Sequence, residues 1–531
     1  MSQLIFAYFP IVLLIFLMTK KNSMPSHRAL PLSALVLYCI LLLVFKQPAN
    51  ATHAAVIEGL LVAWTPILII GGAIFLFRAM ELSGALEIIR RWLNRISNNP
   101  IAQLMIVGWA FQFLIEGASG FGTPAALAGP VLVGLGFPAV RVAILCLILN
   151  SVPVSFGAVG TPTWFGLSEI GLSHEQLLLV GRKSAWLNSV AALCIVPFAL
   201  LMVVDKKAIV HNAVFIVLSI LSCTVSYIAL AQVSYEFPSL LGGGIGMVLT
   251  VLLAYFGIGL RSDSATNGRE TASQSSTVSF WQLLKASFPL WATVLVLIVT
   301  RLPAMGIKPL LQLSQPSLSF QLGSLGEFSV SAALVLSLKG ILGTEQSWSH
   351  SLLYVPSLLP FVLVGLLTLR VQGRGSAKQV LSQTCQQMKK PFVALLGALL
   401  FVKLMMMGGD NSAVTLIGKH LASLAGSQWS FFAAYLGGLG SFFSGSATIS
   451  NLTFAAIQDS IAQQLALNRT TILALQSVGG AMGNMVSINN IVAVSSVLAL
   501  SGKEGYILKR TALAMLVYGL VVGLAAFVFF M

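Results

Sequence analysis

Charged side chains are scarce in this chain. They make up 8% of its 531 residues, whereas hydrophobic residues make up 57%. A water-soluble protein uses roughly 25% charged residues, so this chain cannot cover a surface that faces water, and a soluble globular protein is excluded. Predominantly apolar runs of about 20 residues, the length needed to cross a bilayer, recur along the whole chain. The sequence therefore predicts an integral membrane protein with many spans.

Acidic residues are half as numerous as basic ones, 15 against 30, and the formal net charge is +15. A basic chain can bind nucleic acid, but here the basic residues lie in short clusters between apolar runs. This distribution follows the positive-inside rule, so we expect a lipid bilayer and no nucleic acid as partner. The clusters are Lys20, Lys21 and Arg28; Arg90, Arg91 and Arg95; Lys206 and Lys207; Arg370, Arg374, Lys378, Lys389 and Lys390; and Lys503, Lys509 and Arg510.

Cysteine is also rare, with five residues that show no paired spacing. They are Cys39, Cys146, Cys194, Cys223 and Cys385. This scatter predicts neither a disulfide framework nor a metal site. The six histidines fall in loops or at the ends of predicted spans, so we assign none of them a catalytic role.

Twelve apolar segments are predicted to cross the membrane. They are about 3–19, 29–46, 55–80, 138–158, 184–204, 208–231, 237–260, 281–300, 351–370, 389–407, 469–487 and 507–530. Placing the basic clusters on the inside gives one consistent path, in which both chain ends lie outside. Arg182 and Lys183 fall on the outer side and count against this assignment.

Two further apolar segments, 100–135 and 428–466, are interrupted near the middle by small and polar residues. Irregular backbone at membrane depth is tolerated only where protein buries it or where it lines a wet cavity. We therefore expect each segment to form a re-entrant helical hairpin. Of two remaining polar stretches, 261–280 is predicted to be a mobile inner loop and 301–350 a structured outer connection.

An internal repeat relates the two interrupted segments. The first contains EGASGFGTP and the second SGSATISNLT, and Gly117 in the one is 328 residues before Gly445 in the other. Arg141 and Arg469, which open the spans that follow, are also 328 residues apart. Several matches in one register are difficult to attribute to chance, so we predict two copies of one structural unit.

The two copies are predicted to have opposite orientations in the membrane. The span at 55–80 runs inward, whereas its counterpart at 389–407 runs outward. The predicted fold is an all-α integral membrane protein with about 12 transmembrane helices, two re-entrant helical hairpins and inverted structural repeats. The predicted units are an N-terminal transmembrane pair, 1–50; transport repeat one, 51–204; intervening helices and loops, 205–388; and transport repeat two, 389–531.

Inverted repeats whose broken helices meet at the membrane midplane are typical of secondary transporters. Half-helix N-termini there can hold an anion through free N–H groups and the helix dipole. The hairpin tips and two broken spans, NSVPVSFGAVGTPTWFG and GGAMGNMVSINN, are rich in hydroxyls, amides and glycines. For the hairpin tips the alternative is that the small residues only let helices pack closely. For the broken spans the alternative is a kinked span whose amides are satisfied locally. The predicted substrate-binding residues are Ser119, Gly120, Gly122, Thr123, Asn150, Gly160, Thr161, Ser446, Thr448, Ser450, Asn451, Thr453, Asn484, Ser487 and Asn489.

Glu116 directly precedes the first hairpin tip. Ionisable residues at membrane depth are costly and are functional candidates for that reason. Proton coupling requires a protonatable carboxylate, so we predict Glu116 to be the proton-coupling residue. The alternative is a structural carboxylate that pairs with a nearby arginine or caps backbone amides.

Two other classes of protein remain as alternatives. Gly117-Ala-Ser119-Gly120 fits the Gly-x-Ser-Gly of rhomboid intramembrane serine proteases, whose serine needs a histidine on a later span. No histidine lies at the middle of any predicted span here. A channel is the other alternative, but the sequence shows no ring-forming filter and its pseudo-symmetric halves favour alternating access. We therefore expect a transporter and not an enzyme.

Four stretches resemble the lactate permease family, and the resemblance extends over essentially the full chain. They are IEGASGFGTPAALAGPVLVGLGFP (115–138), NSVPVSFGAVGTP (150–162), SGSATISNLTFAAIQ (444–458), and GGAMGNM followed by GKEGYILKRT (479–511). The resemblance implies a multi-pass carrier of the bacterial inner membrane. It implies uptake of L-lactate, D-lactate or glycolate by proton symport, and no cofactor. A homo-oligomer is left open.

The chain departs from close members of that family at two places. ATISN (447–451) stands where they carry DTNSN, and GNMVSIN (483–489) stands where they carry GKMISPQ. An acidic residue of the family is therefore absent from the second hairpin. SNLT, in the same hairpin, also looks like the hairpin signature of sodium-coupled dicarboxylate carriers. Sodium is therefore the alternative coupling ion.

Overall fold

The computed structural model describes nine parts of the chain, and most of their residues are helical. The described residues are 2–19, 24–93, 97–118, 120, 123–261, 279–301, 305–355, 358–500 and 503–530. Most of the inner loop predicted at 261–280 lies outside them.

The protein is a mostly helical, multi-pass membrane protein. Within the described residues, eight helices are long and apolar enough to cross a bilayer, and the bent pair Ala139–Asn150 and Val152–Trp164 would make a ninth span. Shorter apolar helices account for several other segments that the sequence assigns to spans, including Gln3–Leu17 and His27–Leu43. The total of about 12 spans remains a prediction.

Burial separates the interior helices from those that face lipid. The apolar windows of Pro100–Ala118 and Arg469–Ser495 are 94% buried, whereas that of Phe280–Leu297 is 28% buried. The first two therefore lie in the middle of the protein. The third leaves Trp281 and Leu295 exposed, as expected of a helix on the lipid-facing surface.

The N-terminal part contains ten helices. They are α1 (Ser2–Thr19), α2 (Ser26–Leu43), α3 (Ala49–Val62), α4 (Trp64–Leu82), α5 (Ala85–Leu93), α6 (Pro100–Gln103), α7 (Gln112–Ala118), α8 (Thr123–Gly134), α9 (Ala139–Asn150) and α10 (Gly157–Trp164). A π-helical segment, Leu104–Phe111, joins α6 to α7. The span predicted at 55–80 is divided at Ala63 into α3 and α4.

The middle of the chain contains seven helices. They are α11 (His174–Leu200), α12 (Lys206–His211), α13 (Ala213–Ala231), α14 (Pro238–Tyr255), α15 (Phe280–Arg301), α16 (Ile307–Leu311) and α17 (Val364–Gln372). The span predicted at 184–204 starts earlier, at His174, because Ser173 and Gln176 form a capping box there that satisfies free N–H groups of the first turn.

The C-terminal part repeats the element order of the N-terminal part. Its helices are α18 (Ala377–Met406), α19 (Ala413–Ala425), α20 (Trp429–Ser444), α21 (Ala447–Gln464), α22 (Arg469–Gly483), α23 (Ile488–Val497) and α24 (Glu504–Phe530). In both parts a long helix (α4, α18) is followed by a short amphipathic one (α5, α19), a helical hairpin, and a span broken by a 3-10 turn. In each hairpin the second helix packs back against the first.

A four-stranded antiparallel sheet corrects the expectation of an all-α fold. Its strands are β1 (Ser317–Gln321), β2 (Glu327–Ser331), β3 (Val335–Lys339) and β4 (Ser347–Ser351), which pair in sequence order. The segment predicted as a structured outer connection, 301–350, is thus largely a β-meander.

Alternation of serine with apolar residues explains the sheet. SLSFQ, EFSVS, VLSLK and SWSHS each follow the period of two that places successive side chains on opposite faces. The serines form one polar face, and Leu338 and Trp348 on the other face pack against Ala54 and Ile57 of α3. This period-two pattern was the signal that the span prediction overlooked.

Glycines let α20 and α22 approach closely. A Cβ added at Gly479 would lie 2.0 Å from the carbonyl oxygen of Ala434, and one at Gly437 would lie 2.4 Å from that of Gln476. Such close backbone contact is the usual role of small residues between membrane helices. It fixes the second hairpin against the broken span that follows it.

We expect Gly479→Val to destabilise the protein by about 1–3 kcal/mol, because the added carbons force the two helices apart. The thermal midpoint of the detergent-purified protein, followed by size-exclusion chromatography after heating, measures the effect. Gly505→Val is the matched control, since a Cβ there meets nothing within 4 Å. Equal midpoints for both variants would contradict the packing role.

Candidate functional site

The span formed by α9 and α10 is broken by left-handed residues. Ala158, Val159 and Gly160 have φ values of +43°, +58° and +71°. This conformation costs roughly 1–2 kcal/mol for each residue other than glycine, so the surrounding structure must hold it in place. Pro153 and Pro162 flank the turn, and neither has the N–H group that a continuous helix would use. The break therefore leaves backbone carbonyls without helical donors.

Side chains donate hydrogen bonds to these carbonyls, which have no helical donor. The donors are Thr161 to the oxygen of Ala158 (2.5 Å), Thr163 to that of Ser155 (2.7 Å), Trp164 to that of Val159 (3.0 Å), Ser239 to that of Pro153 (2.6 Å) and Asn451 to that of Pro162 (2.8 Å). Asn451 belongs to α21 in the second hairpin. The two copies of the repeat therefore meet at the broken span.

Each hairpin turns through a left-handed glycine. Gly120 follows α7 with a φ of +60°, and Gly445 follows α20 with a φ of +75°. At the second tip Ser446 caps α21, because its Oγ accepts a hydrogen bond from the N–H group of Ile449 at 3.3 Å. The positive end of the dipole of α21 lies at this tip.

The two hairpin tips face one small cavity of about 20 Å³. Its wall combines the first hairpin, the second hairpin, the broken span and the start of the 3-10 turn after α22. The lining residues are Glu116, Gly120, Val154, Gly157, Ala158, Pro162, Gly445, Ser446, Ala447, Thr448 and Asn484. A water needs roughly 10–15 Å³ of such space, so the cavity holds about one water, and a larger ligand requires the tips to separate.

Glu116 is the acidic residue of this cavity and is 2% exposed. Its Oε2 accepts a hydrogen bond from Nδ2 of Asn150 at 3.1 Å, and the described residues include no ion-pair partner for it. The expected alternative of a nearby arginine is therefore not found in the described part of the chain. Glycine at position 157 makes room for the carboxyl group, because a Cβ there would lie 2.4 Å from Oε1.

Five of the predicted site residues line the cavity: Glu116, Gly120, Ser446, Thr448 and Asn484. Asn150 lies behind them and contacts Glu116. The Oδ1 atom of Asn150 is buried and has no hydrogen-bond partner among the described residues. An unused buried acceptor next to the cavity carboxylate is uncommon in folded proteins.

Several other predicted residues bond to backbone in this conformation. Ser450 donates to the carbonyl of Gly437 at 2.6 Å, and Thr453 donates to that of Ile449 at 2.7 Å. Thr161 and Asn451 hold the broken span, as described above. Gly160 instead allows the backbone of Tyr235 to approach closely, since a Cβ at position 160 would lie 2.1 Å from the carbonyl oxygen of Tyr235. Their role in substrate binding stays a prediction.

Two further predicted residues belong to the broken span after α22 and contact the second hairpin tip. Asn489 donates to the carbonyl of Ser444 at 3.2 Å, and Ser487 lies beside Gly445, where a Cβ would be 3.1 Å from its Oγ. Ser119 and Gly122 lie outside the described residues. Thr123 opens α8, but its side chain is also outside the described part.

Two buried glutamines were not predicted. Gln476 of α22 donates to Oγ of Ser450 (3.2 Å) and to Oδ1 of Asn451 (3.3 Å). Gln458 donates to Oε1 of Gln476 (3.0 Å) and accepts from Nε1 of Trp429 (2.7 Å). This chain of amides orients Asn451, which in turn holds the broken span. Glutamine within an otherwise apolar helix was the available signal.

Lys403 joins distant segments through two carboxylates. Its Nζ lies 2.8 Å from Oε1 of Glu58 in α3 and 2.6 Å from Oε2 of Glu169, beyond α10. The sequence places Lys403 only near the end of a span. The two carboxylates offset the cost of burying the lysine charge, and the cluster connects α18 with α3 and with the segment after α10.

Two solved transporter structures are similar to this chain. They are the YdaH transporter of Alcanivorax borkumensis, with a TM-score of 0.43, 16% identity and coverage of 99% of this chain and 97% of that one, and MtrF of Neisseria gonorrhoeae, with a TM-score of 0.40, 16% identity and coverage of 99% and 94%.

Sequence relatives are similar over nearly the full length. A Haemophilus influenzae protein provisionally named L-lactate permease is 49% identical over 528 residues, which cover 99% of this chain and 98% of that protein. Glycolate permease GlcA of Escherichia coli is 26% identical over 549 residues, covering 97% and 93%. The L-lactate permease of Bacillus subtilis is 27% identical over 511 residues, covering 89% and 86%. The sequence profile of the L-lactate permease family matches residues 3–531, and the chain therefore belongs to that family.

Proposed function

We propose that this permease takes up L-lactate, or a related small 2-hydroxymonocarboxylate such as glycolate, together with a proton. One observation carries the proposal beyond family membership. The two hairpin tips, the broken span and a buried carboxylate meet at a single cavity. Relatives named for L-lactate and for glycolate support this substrate class. Because the chain belongs to a family of permeases, the serine-protease alternative is excluded.

The substrate carboxylate is placed next to Ser446 and Thr448, at the start of α21. Free N–H groups and the positive end of the helix dipole favour an anion there. The same two residues line the cavity, and their hydroxyl groups would form hydrogen bonds with the carboxylate or the 2-hydroxyl group. Since the cavity holds about one water in this conformation, substrate binding requires the hairpins to move apart.

Glu116 couples the proton to the substrate through charge. An ionised Glu116 would repel a carboxylate in the same small cavity, because like charges in a poorly solvated site interact strongly. A proton on Glu116 removes this repulsion, and the loaded site then carries only the charge of the substrate. Loss of the proton on the side with fewer protons restores the repulsion and favours release. The accumulation of substrate then follows the proton gradient.

The transport cycle rests on inverted repeats in a bacterial inner membrane. The matching element order of the two parts of the chain supports two units of one design. With opposite orientations, one hairpin enters from each side, and alternating access arises as the hairpins open in turn. We propose the same division of the chain as before: an N-terminal pair of helices, two transport repeats and an intervening part.

We expect purified protein in liposomes to accumulate labelled L-lactate when the exterior is made acidic, and to lose that accumulation when a protonophore collapses the gradient. Glycolate should compete for uptake, whereas propionate, which lacks the hydroxyl group, should compete poorly because it leaves polar groups unpaired. Uptake that is independent of the proton gradient but driven by an inward sodium gradient would contradict proton coupling and indicate sodium coupling.

We expect Glu116→Gln to lower proton-driven accumulation of L-lactate by about tenfold or more while exchange of external for internal lactate continues. The glutamine resembles the protonated acid in shape but cannot release a proton. Parallel assays of accumulation and of exchange in the same liposomes measure the two activities. Glu175→Gln, at an exposed residue in the first turn of α11, is the control. Wild-type accumulation by Glu116→Gln would exclude Glu116 as the coupling residue.

A further inference from the structure

A second cavity, of about 340 Å³, lies beneath the β-sheet. We call it the vestibule. It is bounded by β4, α16, the first turn of α4, the end of α10 and the loop between α13 and α14. All these segments lie on the side that the basic clusters assign to the outside. Its volume is within the roughly 300–1,000 Å³ typical of small-molecule pockets. The vestibule can therefore hold a hydroxy acid, whereas the central cavity is too small for one.

Trp164 connects the vestibule with the central cavity. Its indole lines the vestibule, and its Nε1 donates a hydrogen bond of 3.0 Å to the carbonyl of Val159 in the left-handed turn. Ala158, the neighbour of Val159, lines the central cavity. The wall of the vestibule also reaches this turn at Tyr235, whose carbonyl leaves no space for a Cβ at Gly160.

The vestibule is lined by a cationic group and a hydrogen-bonding group that could bind a carboxylate. Lys308 lies with its Nζ 5.7 Å from the centre of the Tyr354 ring and makes no salt bridge to a described carboxylate. His350 is 4% exposed, and its Nδ1 lies 2.8 Å from Oγ1 of Thr65, while its Nε2 has no partner among the described residues. Burial lowers the pKa of His350, so the ring is neutral near pH 7. Its Nε2 is buried in this conformation and can bind a ligand once the side chain moves.

Apolar and acidic groups complete the lining. Leu177, Val355 and the Trp164 ring suit a short hydrocarbon group. Glu236 also lines the vestibule, and its negative charge opposes that of Lys308. Within the vestibule Lys308 attracts a bound anion and Glu236 repels it, which favours weak binding. Weak binding suits a site that must pass its ligand on.

We propose that the vestibule is an outer binding site for the transported carboxylate, which Lys308 and His350 hold before Trp164 moves aside and opens the way to the central cavity. The proposal rests on the proposed function. The rupture of the hydrogen bond from Trp164 to Val159 would open the path and remove one of the contacts that hold the strained turn. One movement would thus link arrival of the ligand to a change at the central site.

The opposite charges of Lys308 and Glu236 provide a test with opposite signs. We expect Lys308→Gln to raise the KM for L-lactate uptake about fivefold and Glu236→Gln to lower it, with the maximal rate kept within about twofold for both variants. Lys339→Gln and Glu327→Gln are the matched controls. These two residues face each other across β2 and β3 on the polar face of the sheet, outside the vestibule, and both should leave the KM unchanged.

Thiol labelling provides a test independent of charge. Cys39, Cys194 and Cys385 are exposed and are first replaced by serine. In that background, Gln312→Cys in the vestibule should react with a negatively charged, membrane-impermeant thiol reagent and lose uptake, and L-lactate should slow the reaction. Ser319→Cys, on the polar face of the sheet, should react without loss of uptake and without protection by lactate.

The outcomes separate this proposal from the proposed function. Absence of L-lactate transport by the wild-type protein would contradict the proposed function. Normal wild-type transport, together with an unchanged KM in both charge variants and no protection of Gln312→Cys by lactate, would overturn the vestibule proposal alone. Size-exclusion profiles of each variant identify any that fail to fold, and the labelling test then decides.

Discussion

The need to pair every backbone polar group at membrane depth is the constraint on which the rest of this structure depends. An unbroken helix meets it without help, but the turn at Ala158–Gly160 leaves carbonyls without helical donors. Lipid offers no water to replace them. The side chains of Thr161, Trp164, Ser239 and Asn451 do so instead. Because these donors come from separate elements, the broken span ties distant parts of the chain together.

This arrangement gives the cavity its character. Asn451 comes from the second hairpin, and the amides of Gln476 and Gln458 orient it, so the second copy of the repeat supports the break in the first. Glu116 occupies the space beside Gly157 and accepts one hydrogen bond from the described residues, that of Asn150. Ionisable residues at this depth are functional candidates, and the proton-coupling role of Glu116 stays a proposal.

Much of this fold was predictable because membrane insertion leaves strong marks on a sequence. The length of apolar runs indicates membrane spans. The spacing of 328 residues from Gly117 to Gly445 indicates two matching hairpins. In the structure the two helical hairpins occupy the same place in two matching series of elements. The β-sheet was missed, because a search for apolar runs does not detect serines that alternate with apolar residues. The pairing of Lys403 with Glu58 and Glu169 was also unpredictable, since the partners are far apart along the chain.

The sequence by itself determined the class of protein, the two hairpins and the residue types at their tips, because hydrophobicity, glycine and proline act locally and can be read from neighbouring positions. Only the tertiary structure decided which polar residues line the cavity and which bond to backbone. Ser446 and Thr448 face the cavity, whereas Ser450, two residues further along the same helix, donates to Gly437. Helical rotation and the position of the neighbouring helix separate them, and neither can be read from composition.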